Sequence, residues 1–178
     1  MPHIHTEAGQ HDHTVSIYLF RTDFEQPKIM LHFHKKMNAV AQFGGHIELN
    51  ETPWQTTSHE LEEETGYTLG QLKVLQPVHA QPVISGATLH PYPVAHVTMS
   101  VPGTEAHYHT DSIYAFVTDQ PPAQALAEGE STDIRLYSEE ELVKAKAEIE
   151  GVTFDLARHI FKDVLPTWKA VPATDFKL

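Results

Sequence analysis

The 178-residue chain contains no cysteine, which excludes disulfides, thiolate metal sites and cysteine nucleophiles. Basic residues are scarce as well: 12 Lys and Arg stand against 24 Asp and Glu, a formal charge of −12 with histidine neutral. That surplus repels polyanions, so neither a nucleic-acid polymer nor an anionic membrane surface is the expected partner. A phosphate substrate would have to be met with added cations. No apolar run approaches the roughly 18 residues needed to span a bilayer. The opening MPHIHTEAGQHDHT has neither a basic start nor an apolar stretch, so a cytoplasmic location is the expectation by elimination.

What is present suffices for a core. Hydrophobic residues make up 40% of the chain, and a domain of this length buries roughly 70% of its unfolded surface. Neither a repeat nor a linker is visible, so residues 1–178 read as one domain, with a polar segment over 1–13 and a helical part over 138–178. Histidine is over-represented at 14 residues, four pairs of which have His-x-His spacing: His3/His5, His11/His13, His32/His34 and His107/His109.

Alternation predicts strands over 14–21 and 28–34, joined as a hairpin. A further strand over 39–43 runs into Gly44-Gly45, read as a loop needing a permissive backbone. The best-marked helix spans 52–66: Thr52 suits the N-cap, Pro53 the first helical position, Gln55 completes a capping box and Gly66 suits the stop. Val-, Ile- and Tyr-rich strands are expected over 71–80, 93–99 and 107–118, a loop over 119–132 and a short strand over 133–137. Ser138 and Glu141 form a second capping box for a helix through 148, and another helix over 154–165 stops before Pro166. This order suits a layered α/β domain with a mixed sheet.

At about 100° per residue, the first helix places Glu60, Glu63 and Glu64 along one edge and Trp54 and Leu61 on another face. Like charges four apart cost a few tenths of a kcal/mol, and acids near a helix C-terminus oppose its dipole. A counter-ion explains the arrangement, and oxygen ligands without thiolates suit Mg2+ or Mn2+. A solvated acidic face is the competing explanation for these three residues alone.

The spacing extends beyond the helix. Gly45, five residues, Glu51, seven residues, then His59-Glu60-Leu61-Glu62-Glu63-Glu64-Thr65-Gly66-Tyr67 resembles the Nudix box of the Nudix hydrolases. Every fixed position is met except His59, where the family has arginine. The segments TVSIYLFR, KIMLHFHKK and GGHIE are also similar to the family's, so the likeness covers most of residues 14–137. It implies an α/β/α sandwich in which the box forms a loop-helix-loop. It further implies metal-assisted hydrolysis of a nucleoside diphosphate linked to another group, with water attacking phosphorus.

Carried over residue by residue, the resemblance makes Glu60, Glu63 and Glu64 metal ligands, with Glu60 or a later glutamate the base for water. Glu64 and Glu60 rank first. A backbone carbonyl of Gly44 or Gly45 is a further oxygen ligand, while Glu51 and Gly66 position the motif. Glu130, or less strongly Glu128, matches the late glutamate that serves as extra ligand or base. A homodimer is compatible, dimers being common in the family. The Nudix-like isoprenoid diphosphate isomerases use a catalytic cysteine, and this chain has none.

His59 cannot copy the bidentate fork of arginine, yet an imidazolium four residues before Glu63 can pair with it. The expectation is a weakened or retuned site. The competing classes are a nucleotide-binding protein that does not cleave its ligand and a histidine-built zinc protein. Lys35 and Lys36 are candidates for phosphate contact or for a solvated hairpin end. His107-x-His109-x-Asp111 puts two imidazoles and a carboxylate on one strand face, suited to substrate contact or metal.

Overall fold

The computed structural model describes residues 7–79, 82, 84–101 and 107–178, so the His3/His5 pair and residue 80 of the expected 71–80 strand lie outside the described residues. In chain order the elements are β1 (His11–Arg21), β2 (Lys28–His34), β3 (Ala39–Ala41), β4 (Phe43–His46), α1 (Pro53–Thr65), β5 (Lys73–Gln76) and β6 (Ala95–Val101). They continue with β7 (His107–Thr118), β8 (Ile134–Tyr137), α2 (Glu139–Lys144), α3 (Gly151–His159) and β9 (Lys169–Pro172).

The centre of the sheet is a parallel pair, β1 and β7, in unbroken register from His11 opposite Tyr108 to Arg21 opposite Thr118. Each central strand divides its outer edge between two antiparallel partners. β1 pairs with β4 over Thr14–Ile17 and with β2 over Leu19–Arg21. β7 pairs with β6 along its first half and with β5 near Phe116 and Val117. β3 and β8 extend the β2 side and β9 extends the β5 side, giving a mixed sheet.

Side-chain alternation along the central strands supplies two apolar faces. Val15, Ile17, Leu19, Tyr114 and Phe116 pack with Trp54 and Leu61 of α1. Tyr18, Phe20, Ile113 and Ala115 point the other way, onto Leu142 of α2 and Phe154 and Ala157 of α3. The result is the expected α/β/α sandwich.

Several local expectations change, among them the second capped helix, which ends at Lys144 rather than 148, and the 71–80 strand, which narrows to Lys73–Gln76. Gly44 and Gly45 are not a loop after a strand but lie within β4, paired with Ser16 and Val15 of β1. The helical C-terminal part also contributes a strand, β9, because Lys169–Pro172 completes the exposed edge of β5. α3 starts three residues earlier than expected, where the Glu150 carboxylate accepts the Thr153 N–H at 2.7 Å. Its final turn widens into a π-turn over Ile160–Val164.

Trp54, fully buried, ties α1 to the sheet: its ring stacks on Phe116 at 5.9 Å and meets Tyr114 edge-on at 5.7 Å. Its indole N–H has no hydrogen-bond partner among the described residues, so the ring acts through packing alone. Trp54→Ala is therefore expected to cost about 3–5 kcal/mol in urea unfolding, as large core truncations do, while Trp54→Phe costs less than about 2 kcal/mol. Equal losses for both would contradict a purely apolar role.

Candidate functional site

α1 is fixed at both ends by its own sequence. The Thr52 hydroxyl accepts the Gln55 N–H, the Gln55 side chain accepts the Thr52 N–H at 2.9 Å, and Gly66 closes the helix at φ 71°. These stops set the rotation of the helix, which turns Glu60 and Glu64 toward β4.

There the strand carries no side chains to obstruct them. The Gly44 N–H donates to Glu64 Oε2 at 2.8 Å. Glu60 lies so close to Gly45 that a Cβ on that glycine would stand 2.0 Å from Glu60 Oε1. Gly44 has φ 137°, and a Cβ there would stand 2.0 Å from the Val15 carbonyl oxygen. The two glycines thus have different reasons to be glycine: backbone conformation and approach at 44, room for a carboxylate at 45.

Ladder alternation also separates their amides. The Ile47 N–H donates to the His13 carbonyl at 2.8 Å, so two residues back the Gly45 groups face β1 and those of Gly44 face away from it. The outward direction agrees with the Gly44 bond to Glu64. The carbonyl that faces this edge therefore belongs to Gly44, one of the two glycines the resemblance left open for that role.

Glu60 and Glu64 are both buried, and their charges are disfavoured accordingly. Burial, then Glu63, lifts the Glu60 carboxyl to about 7, with His59 opposing and Glu130 adding to the rise. Burial lifts Glu64 to about 8 against the Gly44 hydrogen bond, with Glu60 and Glu130 adding. Glu130, picked out from sequence, thus acts on both carboxyls. Its loop is tied to the end of α1 by the Ala127 N–H on the Glu63 carbonyl at 2.9 Å and the Gln124 N–H on the Gly66 carbonyl at 3.0 Å. Glu128 is exposed.

Glu63 is half-exposed and its Oε1 lies 2.9 Å from His59 Nε2, while His59 Nδ1 is 3.6 Å from Glu51 Oε1. The Thr56 hydroxyl donates to the other Glu51 oxygen at 2.8 Å. Partial burial works against the His59 charge, but Glu63, Glu51 and Glu60 outweigh it and raise the imidazole pKa. The residue that departs from the box therefore bridges two of its carboxylates. Lys35 and Lys36 are exposed in the β2–β3 turn. Burial and then Lys36 lower the pKa of His34, with Glu130 opposing the shift.

The His107-x-His109-x-Asp111 face is only partly as expected. Asp111 is buried and engaged by the hydroxyls of Thr14 at 3.0 Å and Ser16 at 2.6 Å, which removes it from the pair. Asp12 takes its place: donor atoms of Asp12, His107 and His109 all lie within 4.8 Å of one another. Sequence reading passed over Asp12 because it sits between the two histidines of the His11/His13 pair. The parallel register that sets it opposite His109 is a long-range fact, and alternation alone would have put it on the face away from its neighbours.

A family model described as NUDIX domain matches residues 11–156. Comparison with curated proteins finds no match. Among solved structures, the chain is similar to a NUDIX-family hydrolase from Clostridium perfringens at 27% identity, covering 83% of this chain and 93% of that one, with a TM-score of 0.64. It is also similar to a C. elegans Ap4A hydrolase in a binary complex, at 14% identity over 84% and 95% of the two chains and a TM-score of 0.57. The E. coli dihydroneopterin triphosphate pyrophosphohydrolase is similar at 12% identity over 90% and 99%, with a TM-score of 0.58. At their low identities the last two bear on the fold alone.

The two glycines make separable predictions. Gly44→Ala is expected to destabilise the protein by at least about 2 kcal/mol, since both the backbone and a carbonyl stand in the way. Gly45→Ala meets only the end of a side chain and is expected to cost less than about 1 kcal/mol while displacing Glu60. Denaturant unfolding of the two variants checks the order, and a larger loss at 45 would contradict it.

The carboxyls predict a pH dependence. Unfolded, both titrate near 4.5; folded, they hold protons up to about 7 and about 8. The folded state therefore binds more protons across that window, and stability of the metal-free protein falls as pH rises through it. Melting temperature should be lower at pH 8.5 than at pH 6, with a shallower decline in a Glu60→Gln/Glu64→Gln variant. Matching declines would remove these two groups as the cause.

Proposed function

The chain belongs to the NUDIX family and is a hydrolase of phosphoanhydride bonds; from that premise we propose that it is a Mg2+- or Mn2+-dependent pyrophosphohydrolase of small nucleotides. Its proposed substrate is a nucleoside diphosphate linked to another group, cleaved by attack of water on phosphorus. The observation that supports this most directly is the pair of buried carboxyls, Glu60 and Glu64, set against a side-chain-free stretch of strand. An unaccompanied pair of that kind is costly to ionise, and oxygen donors at this density suit a hard divalent cation.

Glu60, Glu63 and Glu64 are the proposed ligands, with the Gly44 carbonyl as the backbone oxygen. When bound, divalent cations screen a diphosphate and lower the pKa of an attacking water. Glu130 acts on the same carboxyls from the facing loop and is the proposed late ligand or base, sharing the base role with Glu60. His59 is a positioning residue: it holds Glu63 and is itself held by Glu51, which Thr56 anchors. Lys35 and Lys36 supply positive charge at the rim, where an incoming phosphate would find little else of that sign.

The similar solved structures include an Ap4A hydrolase and a dihydroneopterin triphosphate pyrophosphohydrolase, which sets the range of a first panel. Wild type and Glu64→Gln should be assayed for product release on dinucleoside polyphosphates, nucleoside diphosphate sugars and nucleoside triphosphates, with Mg2+, Mn2+ or chelator. The expected result is cleavage of at least one class that needs metal and falls at least about 100-fold in the variant, the loss typical of removing a group that holds transition-state charge. Metal-independent cleavage, or full activity in Glu64→Gln, would overturn the assignment. Binding without cleavage would favour a ligand-holding protein retuned through His59.

A further inference from the structure

On the sheet face opposite α1, the apolar side chains stop short of the N-terminal ends of β1 and β7. Beyond Tyr18 and Ile113 the face turns polar, first with Ser16, Thr14 and Asp111, then with Asp12, His107 and His109. His46 of β4 joins from the neighbouring strand. We propose that Asp12, His46, His107 and His109 form a second metal site, for a borderline transition-metal cation of the Zn2+ class, separate from the carboxylates of α1.

The donor set selects the metal. Three imidazoles and one carboxylate favour Zn2+, Co2+ or Ni2+, whereas Mg2+ prefers oxygen alone. Geometry agrees with that selection. Zinc–ligand bonds of about 2.0–2.1 Å require neighbouring tetrahedral ligand atoms about 3.3–3.4 Å apart. His46 Nε2 and His109 Nε2 are 3.4 Å apart, Asp12 Oδ2 is 3.8 Å from His46 Nε2, and the atoms of Asp12, His107 and His109 fall within 4.8 Å of one another. Asp12, His107 and His109 form the core of the set, and His46 reaches it through His109 and Asp12.

The backbone prepares the cluster. Strand alternation puts His107 and His109 on one face, the parallel register sets Asp12 opposite His109, and β4 pairing sets His46 opposite Thr14. Asp12, with 1% of its side chain exposed, and His46, with 13%, are largely withdrawn from solvent. Four residues from three strands would thus be joined by one ion. A closed four-ligand set is the pattern of a structural site, and its effect would be to clamp β4 to the central pair. Because His46 directly follows Gly45, the same clamp fixes the strand on which Glu60 and Glu64 rest.

The test uses the untagged full-length chain, stripped with chelator and titrated with Co2+ alone. One equivalent should produce the intense visible absorption of tetrahedral Co2+, and Zn2+ should abolish it by displacement. The signal should disappear in His107→Gln/His109→Gln and in His46→Gln, and persist in Glu64→Gln, which separates this site from the carboxylates. It should also persist in His3→Ala/His5→Ala, which removes the N-terminal pair. Zn2+ should raise the melting temperature of wild type and not that of the His107/His109 variant. Wild type without the tetrahedral signal overturns the proposal whatever the variants do, as does a signal that survives loss of His107 and His109 or that depends on Glu64 or on His3 and His5.

Discussion

The close contact between α1 and β4 governs the rest of this molecule. A helix edge bearing three carboxylates would ordinarily face solvent, where water stabilises each charge. Here two of them press on backbone instead, and the strand beneath them can accept the approach only because residues 44 and 45 lack side chains. From that burial follow the raised pKa values of the Glu60 and Glu64 carboxyls. The apolar face of the helix, led by Trp54, supplies the burial that holds the acidic edge in place.

Local signals in the sequence were sufficient for the helix and its rotation. Thr52, Pro53, Gln55 and Gly66 define its ends, and periodicity then fixes which residues share an edge. The Nudix box added Gly45 and Glu51 at a distance that local rules do not reach. What escaped was long-range. A glycine pair after a strand reads as a loop, and only pairing with Thr14–Ile17 makes it part of a strand. β9 is four residues following a helical stretch, and its identity depends on the free edge of β5. The Asp12, His107 and His109 grouping likewise needs the β1–β7 register, which no window of sequence contains.

His59 shows how one substitution can alter a site without dissolving it. An arginine at that position would be permanently charged and would present two parallel donors. Imidazole offers one donor on each side of the ring, and in this chain the two sides face different carboxylates, Glu63 and Glu51. The support for Glu63 is retained in place, but its ionic part becomes conditional on protonation, and the surrounding acids raise the imidazole pKa to favour that form. A fixed element of the family pattern is thereby exchanged for a titratable one, about one-half exposed to solvent.

β4 is four residues long, yet its alternation divides two kinds of donor group, carboxylates on one face and imidazoles on the other. Gly45 faces the hard oxygen donors of α1, and the next residue, His46, faces the imidazoles across the sheet. Under the two proposals above, oxygen-only and nitrogen-rich donor sets would discriminate between cations by softness and geometry, so the two ions would not compete for ligands. Mechanical coupling is the consequence. A displacement of β4 that relaxed the histidine cluster would also move the Gly44 amide on which Glu64 depends, so order at one face of the sheet is a condition for charge placement at the other.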